Sequence, residues 1–544
     1  MVTLRCSECG AAIIPREEHE SVVPSTPGIL ARYQRLSKCN EPPAMVDRSF
    51  VHAVASKTAA RLTSLDVEIS QLRARLKQLE EEQADLMDYQ TQNHAILSPL
   101  RRMPPEVLTE IFLWTVPPID AMNGDVSDLK QSPWTLSQVC SRWRAITLAT
   151  PSLWSTICVQ HLGGVNHEMV RTQVGRSRML KVHFYGDENR DSAPQIELFR
   201  FLIEHSERWE RLDVQLTAAL VSPLAALRGR LSSLRRLWVR WDIEDSEFEV
   251  GSIDSFEMAP LLSDVGLADE HVQSIRFLFP AHQLTCYRVW CPWDRHQNVL
   301  RLAPNLIEAN ISITSDDGVW PVVWPRHIAR GAVIDMLHLQ RLYVSDSEAL
   351  AYLRAPALAE ISIEIFGQQE DPRAIDNLDA LFMRSSCTPR RLCLAGLPDA
   401  HITTKILLKY PFISNFALLV SMCTEDPVYG EKTLMNVVDN HLTMLTLRNS
   451  DVDVSPHLEE IHFGSFAKSS PNGFPLFLKM LKSRRSPHGA LKTAAFLMRH
   501  GPELGPESLV ELNLLKEPGL SLSVEWGRKV PKRLSCWTYE CPWN

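Results

Sequence analysis

The sequence predicts an α/β chain in three parts: an N-terminal coiled-coil helix, a small helical module near residue 100, and an irregular α/β solenoid. Three observations predict it. A heptad of apolar residues runs from Leu62 to Leu86, two proline-bounded apolar helices follow around Pro104 and Trp143, and one apolar spacing recurs from about residue 200 onward. The corresponding boundaries are a disordered leader at 1–55, the coiled-coil helix at 56–92, the helical module at 96–156, the solenoid at 157–525 and a tail at 526–544.

Composition narrows the class of protein. Of the 544 residues, 45% are hydrophobic and 22% charged, which is ordinary globular usage with ample material for a core. A net charge of −8 argues against a nucleic-acid footprint, which shows as a basic patch or a high pI. No apolar run reaches the roughly 20 residues that span a bilayer, and residues 1–14 lack a secretory pattern. The twelve cysteines are scattered rather than dense, so a soluble protein of the cytoplasm or nucleus with buried thiols is expected.

The leader carries prolines at 15, 24, 27, 42 and 43 and no apolar periodicity. Cys6 and Cys9 have the spacing of half a zinc knuckle, with Cys39 and His19 as the nearby candidates for the remaining ligands. The second pair lacks that spacing, so free thiols in a disordered leader are the expectation and no metal is assigned.

Leu62, Leu65, Ile69, Leu72, Leu76, Leu79 and Leu86 occupy a and d positions of a heptad that only Gln83 interrupts. No Pro or Gly breaks the segment, and its other residues are good helix formers. Such a helix, about 50 Å long, must bury its stripe against a second copy or against the chain's own body. A homodimer is one of the two outcomes.

The next segment reads Leu97-Ser-Pro-Leu100-Arg-Arg-Met-Pro-Pro-Glu-Val107-Leu108-Thr-Glu-Ile111-Phe112. Pro104 and Pro105 suit a first helical turn, where the missing donor costs nothing, and Glu106 suits the positive end of the dipole. A loop over 116–133 follows. Leu136, Val139, Cys140, Trp143 and Ile146 then share a second helical stripe, and Leu153-Trp154 add an apolar clip after Pro151.

Met103-Pro-Pro-Glu-Val-Leu-Thr-Glu-Ile-Phe112, Leu136-Ser-Gln-Val-Cys-Ser-Arg-Trp143-Arg-Ala-Ile146 and Pro151-Ser-Leu-Trp154 together resemble the F-box of mushroom-type F-box proteins. The resemblance covers about 60 residues. It implies a three-helix F-box that docks on the Skp-type adaptor of a cullin-RING (SCF-type) ubiquitin ligase, recruiting a protein substrate for degradation. Leu100, Pro104, Val107, Leu108, Ile111, Phe112, Trp143 and Trp154 are the expected adaptor-binding residues. The long loop at 116–133 departs from a compact F-box and puts the docking geometry in question.

Beyond residue 200 an apolar residue is followed at +3 and +5 by two more. The instances are Trp209-Leu212-Val214, Leu234-Leu237-Val239, Leu284-Tyr287-Val289, Leu306-Ala309-Ile311, Leu339-Leu342-Val344 and Leu358-Ile361-Ile363. Leu442-Leu445-Leu447, Leu458-Ile461-Phe463, Leu491-Ala494-Phe496 and Leu509-Leu512-Leu514 continue the series. Units of roughly 25 residues fall in the leucine-rich-repeat range, each supplying a short strand to a shared core. The asparagine expected after each strand is mostly missing, and an insert around 241–271 breaks the period, so the predicted solenoid is irregular. Parallel strands of an ordinary α/β domain are the other reading.

Motifs for chemistry are wanting. His167-Glu168 starts like a zinc-protease helix, but Arg171 stands where the second histidine belongs. There is no GxSxG, GxxxxGK[ST] or strand-borne GxGxxG motif. Cys291-Pro-Trp293 and Cys541-Pro-Trp543 share a tripeptide without a physical account, and Cys536 and Cys541 suggest no site. The expectation is a non-enzymatic protein without cofactors. The alternative to a ligase subunit is a coiled-coil and solenoid scaffold that never meets a ligase.

Overall fold

The computed structural model describes residues 27–40, 42–116, 132–159, 166–241, 252–268, 276–314, 333–365, 372–421, 431–447, 453–468, 473–485, 490–501, 510–512, 514–515, 519–527 and 530–539. The chain falls into two compact units, residues 1–104 and 105–544.

In the first unit, helix α1 spans Pro27–Leu36 and helix α2 spans Met45–Leu97. The long helix therefore starts before the expected residue 56 and ends after 92, so part of the expected leader is helical. Ser49, Thr58, Thr63, Ser70 and Thr91 return their hydroxyls to carbonyls three or four residues back, so these polar residues fit the helix without breaking it. The heptad residues Leu62, Ile69, Leu72, Leu76, Leu79 and Leu86 are all exposed and Leu65 is half-buried. Cys6, Cys9 and His19 lie outside the described residues. Cys39 is exposed, and among the described residues no cluster of three metal-ligating side chains exists.

Among the described residues, the second unit is built on one sheet of fourteen parallel strands. They are β1 (Thr156–Val159), β2 (Leu180–Tyr185), β3 (Trp209–Leu216), β4 (Arg236–Trp241), β6 (Asp264–Ala268), β8 (Cys286–Cys291) and β9 (Glu308–Ile313). The sheet continues through β11 (Arg341–Val344), β13 (Glu360–Ile365), β14 (Arg391–Gly396), β15 (Asn415–Val420), β16 (Glu460–Lys468), β17 (Thr493–His500) and β18 (Ser521–Trp526). Two short parallel pairs, β5 (Ser252–Ile253) with β7 (Arg276–Phe277) and β10 (Ile334–Asp335) with β12 (Leu353–Arg354), stand beside it. Sheet order follows chain order throughout. Each strand pairs with the next through a crossover, as parallel pairing demands.

Strand alternation sorts the side chains into two faces. One register row reads Ile157, Val182, Leu212, Leu237, Val265, Tyr287, Ala309, Leu342, Ile361, Leu392, Phe416, Ile461 and Ala494, all buried. Helices His167–Arg176, Ser192–Ile203, Trp293–Leu302, Ala400–Lys409 and Gly473–Arg484 bury residues in the same core as this face. Several begin on a side-chain cap. Asn166 accepts from Glu168 and Met169, Asp191 from Ala193 and Asp399 from His401, satisfying amides the helix leaves over.

Eight of the ten spaced apolar triplets lie where strands form. Leu442 and Leu445 instead close helix Glu431–Met444 and its exit, buried in the core, and Leu512 and Leu514 are also helical, while Leu509 lies outside the described residues. The spacing fits an amphipathic helix end as well as a strand, and here the helical partner prevails. The expected insert at 241–271 holds strand β6, a full member of the sheet between β4 and β8. The expected tail holds a helix, Val530–Thr538, whose Val530 and Leu534 are fully buried. Cys291-Pro-Trp293 is a strand-to-helix turn, with Trp293 opening the helix on the core side; Cys541 and Trp543 lie outside the described residues.

Among the described residues, no helix is long and apolar enough to cross a membrane.

Candidate functional site: an apolar helix face at residues 105–154

Three helices and a turn form the module that opens the second unit: α3 (Pro105–Thr115), α4 (Trp134–Val139), α5 (Ser141–Ala149) and a 3-10 turn at Pro151–Trp154. The predicted second helix is in fact two. Cys140 is extended at φ −160°, and its Sγ accepts from the Trp143 amide at 3.4 Å, so it ends α4 and caps α5.

The module has its own core. Phe112 meets Trp143 at 4.7 Å between centroids, and Trp134 meets Trp154 edge-on at 5.0 Å, both spacings typical of stabilising aromatic pairs. Trp154 Nε1 donates to the Thr147 carbonyl at 2.9 Å, giving the buried indole its partner. The Arg176 guanidinium lies over the Trp154 ring at 4.4 Å, tying the turn to helix His167–Arg176, and burial pulls its pKa down from the usual value. Arg144 Nε donates to the Ser137 carbonyl at 2.8 Å, clamping α5 to α4.

This packing divides the predicted docking residues. Leu108, Phe112 and Trp154 are at most 1% exposed, so they are core residues of the module and not a surface for a partner. The reason is geometric: Leu108 and Phe112 lie four residues apart on the one side of α3 that faces α5. Trp143 is half-buried against Phe112. Val107 and Ile111 are exposed, as are Leu100 and Pro104 in the first unit.

One residue was missed. Trp114 is 87% exposed and continues the helical row Val107, Ile111, Trp114 at spacings of four and three. About 100° of turn per residue places this row roughly a third of a circle from the Leu108–Phe112 row. The same periodicity that picked out Ile111 identifies Trp114. Val139 and Leu148 are exposed too. Three apolar side chains in a row on a helix, the last a tryptophan, form a face suited to a protein partner.

Residues 100–160 match the F-box-like family, so the chain carries an F-box-like domain. No curated protein matches the chain.

Proposed function

We propose that the chain is the substrate-recruiting F-box subunit of an SCF-type ubiquitin ligase, docking a Skp-type adaptor, and through it a cullin, with the exposed row of α3. The observation that carries this reading is the coincidence of the F-box-like match with an apolar helix face left uncovered on Val107, Ile111 and Trp114. Anchors of this kind dominate protein interfaces, each worth about 2 kcal/mol or more. The parallel sheet of the second unit, read as an irregular leucine-rich-repeat-like solenoid, holds the protein substrate. No residue of the chain is assigned a catalytic role or a cofactor.

The test is adaptor co-purification with Ile111→Asp/Trp114→Ala. This variant should lose the adaptor while its melting temperature stays within a few degrees, because both side chains already face water. Leu108→Ala should do the reverse in kind, costing about 2–5 kcal/mol of stability through a core cavity. Undiminished capture by the Ile111/Trp114 variant would remove the reading.

The scaffold alternative is favoured by one feature, the exposed seam of α2. We propose that the seam pairs with a second copy as a coiled coil, which both readings accommodate. Adaptor binding by the intact chain separates them.

A further inference from the structure

Two successive crossovers of the sheet carry no α-helix among the described residues. Between β4 and β6 stand the short strand β5 and turns, and between β6 and β8 the short strand β7 and the 3-10 turn Ala281–Gln283. The crossovers on either side carry helices Ala218–Leu224 and Trp293–Leu302, which bury residues in the core. Where the helical layer is interrupted, a cavity of about 250 Å³ opens at the carboxyl ends of β4, β6 and β8, beside the first turns of helix Trp293–Leu302. Carboxyl ends of parallel strands are a recurrent place for ligand crevices, because diverging crossovers leave space there.

The lining is largely apolar. Trp241, Phe277, Phe279 and Trp290 supply aromatic walls, each only partly buried, and Val239, Tyr287 and Val289, all buried, line the cavity with them. The Tyr287 hydroxyl donates to His296 Nδ1 at 2.9 Å, and burial holds the Cys291 thiol protonated, its pKa pushed up to about 12. These inner groups therefore offer a ligand no charge. Arg276, Asp294 and Asn298, all exposed, bring hydrogen-bonding groups of both kinds to the mouth, with the half-buried Arg295 beside them. Apolar walls with a few polar groups at the opening are the usual make-up of a binding pocket.

Its size limits the occupant. An apolar cavity of about 150 Å³ already holds benzene, and pockets for drug-sized ligands start at about 300 Å³. A volume of about 250 Å³ suits one side chain of one or two rings better than a whole cofactor. The aromatic walls add edge-on or offset ring contacts, and the groups at the mouth can take up main chain on either side of the ring. We propose that this cavity is an anchor pocket for a tryptophan or phenylalanine side chain carried on an extended segment of the partner protein. The inference deepens the recruitment reading by naming the part of the substrate that is held, and rests on that reading only for the role of the bound protein.

The experiment titrates the full chain, without adaptor, by saturation-transfer NMR. The probes are a short Gly/Ser peptide with one central Trp, its Phe and Ala counterparts, and 3-methylindole, the Trp side chain alone. The Trp and Phe peptides should bind, and the Ala peptide should be weaker by about thirtyfold or more, the worth of one buried anchor. Val299→Trp, which fills the cavity from helix Trp293–Leu302, should weaken the Trp peptide to a similar degree. Lys405→Glu, on helix Ala400–Lys409 away from the cavity, should leave it unchanged. Arg276→Ala/Asn298→Ala, at exposed positions, should weaken the Trp peptide severalfold and leave 3-methylindole unchanged, and serves if the filled variant fails to fold. Equal affinity for the Trp and Ala peptides, no binding of any peptide, or binding indifferent to these variants overturns the proposal. So does 3-methylindole binding as tightly as the Trp peptide, since the cavity would then serve a free small aromatic. Adaptor capture is read separately through α3, so either idea can fail alone.

Discussion

The two halves of the sheet's outer face share one backbone geometry and meet opposite fates. From β2 to β11 the outward positions hold arginines, carboxylates and buried polar or aromatic groups, among them His183, Trp238, Asn310 and Tyr343. From β14 to β17 the same positions hold Cys393, Ala395, Ala417, Leu419, Ala495 and Leu497, and the C-terminal helix Val530–Thr538 lies over them. Gly464 leaves room there, since a Cβ would collide with Leu534 and Trp537. His462 stacks on Trp537 at 5.6 Å, and Tyr539 donates to Glu360 at 2.7 Å. Asn310 of β9 donates to the Thr538 carbonyl at 2.8 Å, so the end of this helix reaches into the charged half as well. Small apolar residues on an exposed strand face recruit a cover; an ion-paired face does not need one.

The largest expected effect breaks the covered half. Leu534→Ala removes a fully buried side chain and should cost about 2–5 kcal/mol in denaturant unfolding, with faster proteolysis before Val530. An unchanged midpoint would mean that the helix does not seat on the sheet.

A smaller effect is expected in the charged half. Glu308→Gln strips the Arg288 and Arg341 guanidinium groups of their shared carboxylate and should cost roughly 2–3 kcal/mol, whereas Arg236→Gln, at a half-exposed position, should cost under about 1 kcal/mol. Equal costs would show that the ladder is not a connected network.

The smallest effects concern pH. Burial lowers the pKa of His296, His441 and His462 to about 4 in each case. His296 is held neutral: Nε2 donates to the Ser312 carbonyl at 3.1 Å and Nδ1 accepts from the Tyr287 hydroxyl at 2.9 Å. The unfolded chain therefore binds more protons below its ordinary histidine value of about 6.5, so this stability is complete above that pH and is lost as pH falls toward 4. Melting temperature should be flat above neutrality and decline through that window. His462→Gln should flatten the decline slightly and locate part of it in the covered half.

Much of the fold was legible. The +3, +5 apolar spacing marked eight strands, and Leu262-Val265-Leu267 and Ile413-Phe416-Leu418 carry the same spacing at β6 and β15. It failed at Leu442, because three apolar residues so spaced satisfy a helix end equally well. At the candidate site, helical periodicity identified the apolar residues of α3 but not which of its two rows would be buried. Leu108, Ile111 and Phe112 are all large and apolar, so residue type alone does not separate the two rows.

The sequence by itself determined the long heptad helix, the proline-started module and the inward row of the sheet, since periodicity depends only on local backbone geometry. Which apolar row of α3 packs inward was decided by the tertiary structure alone, because Trp143 reaches Phe112 from 31 residues further along the chain. The same holds for the cover over half the sheet: a nine-residue helix too short to be stable alone exists because Leu534 and Trp537 find Gly464 beneath them.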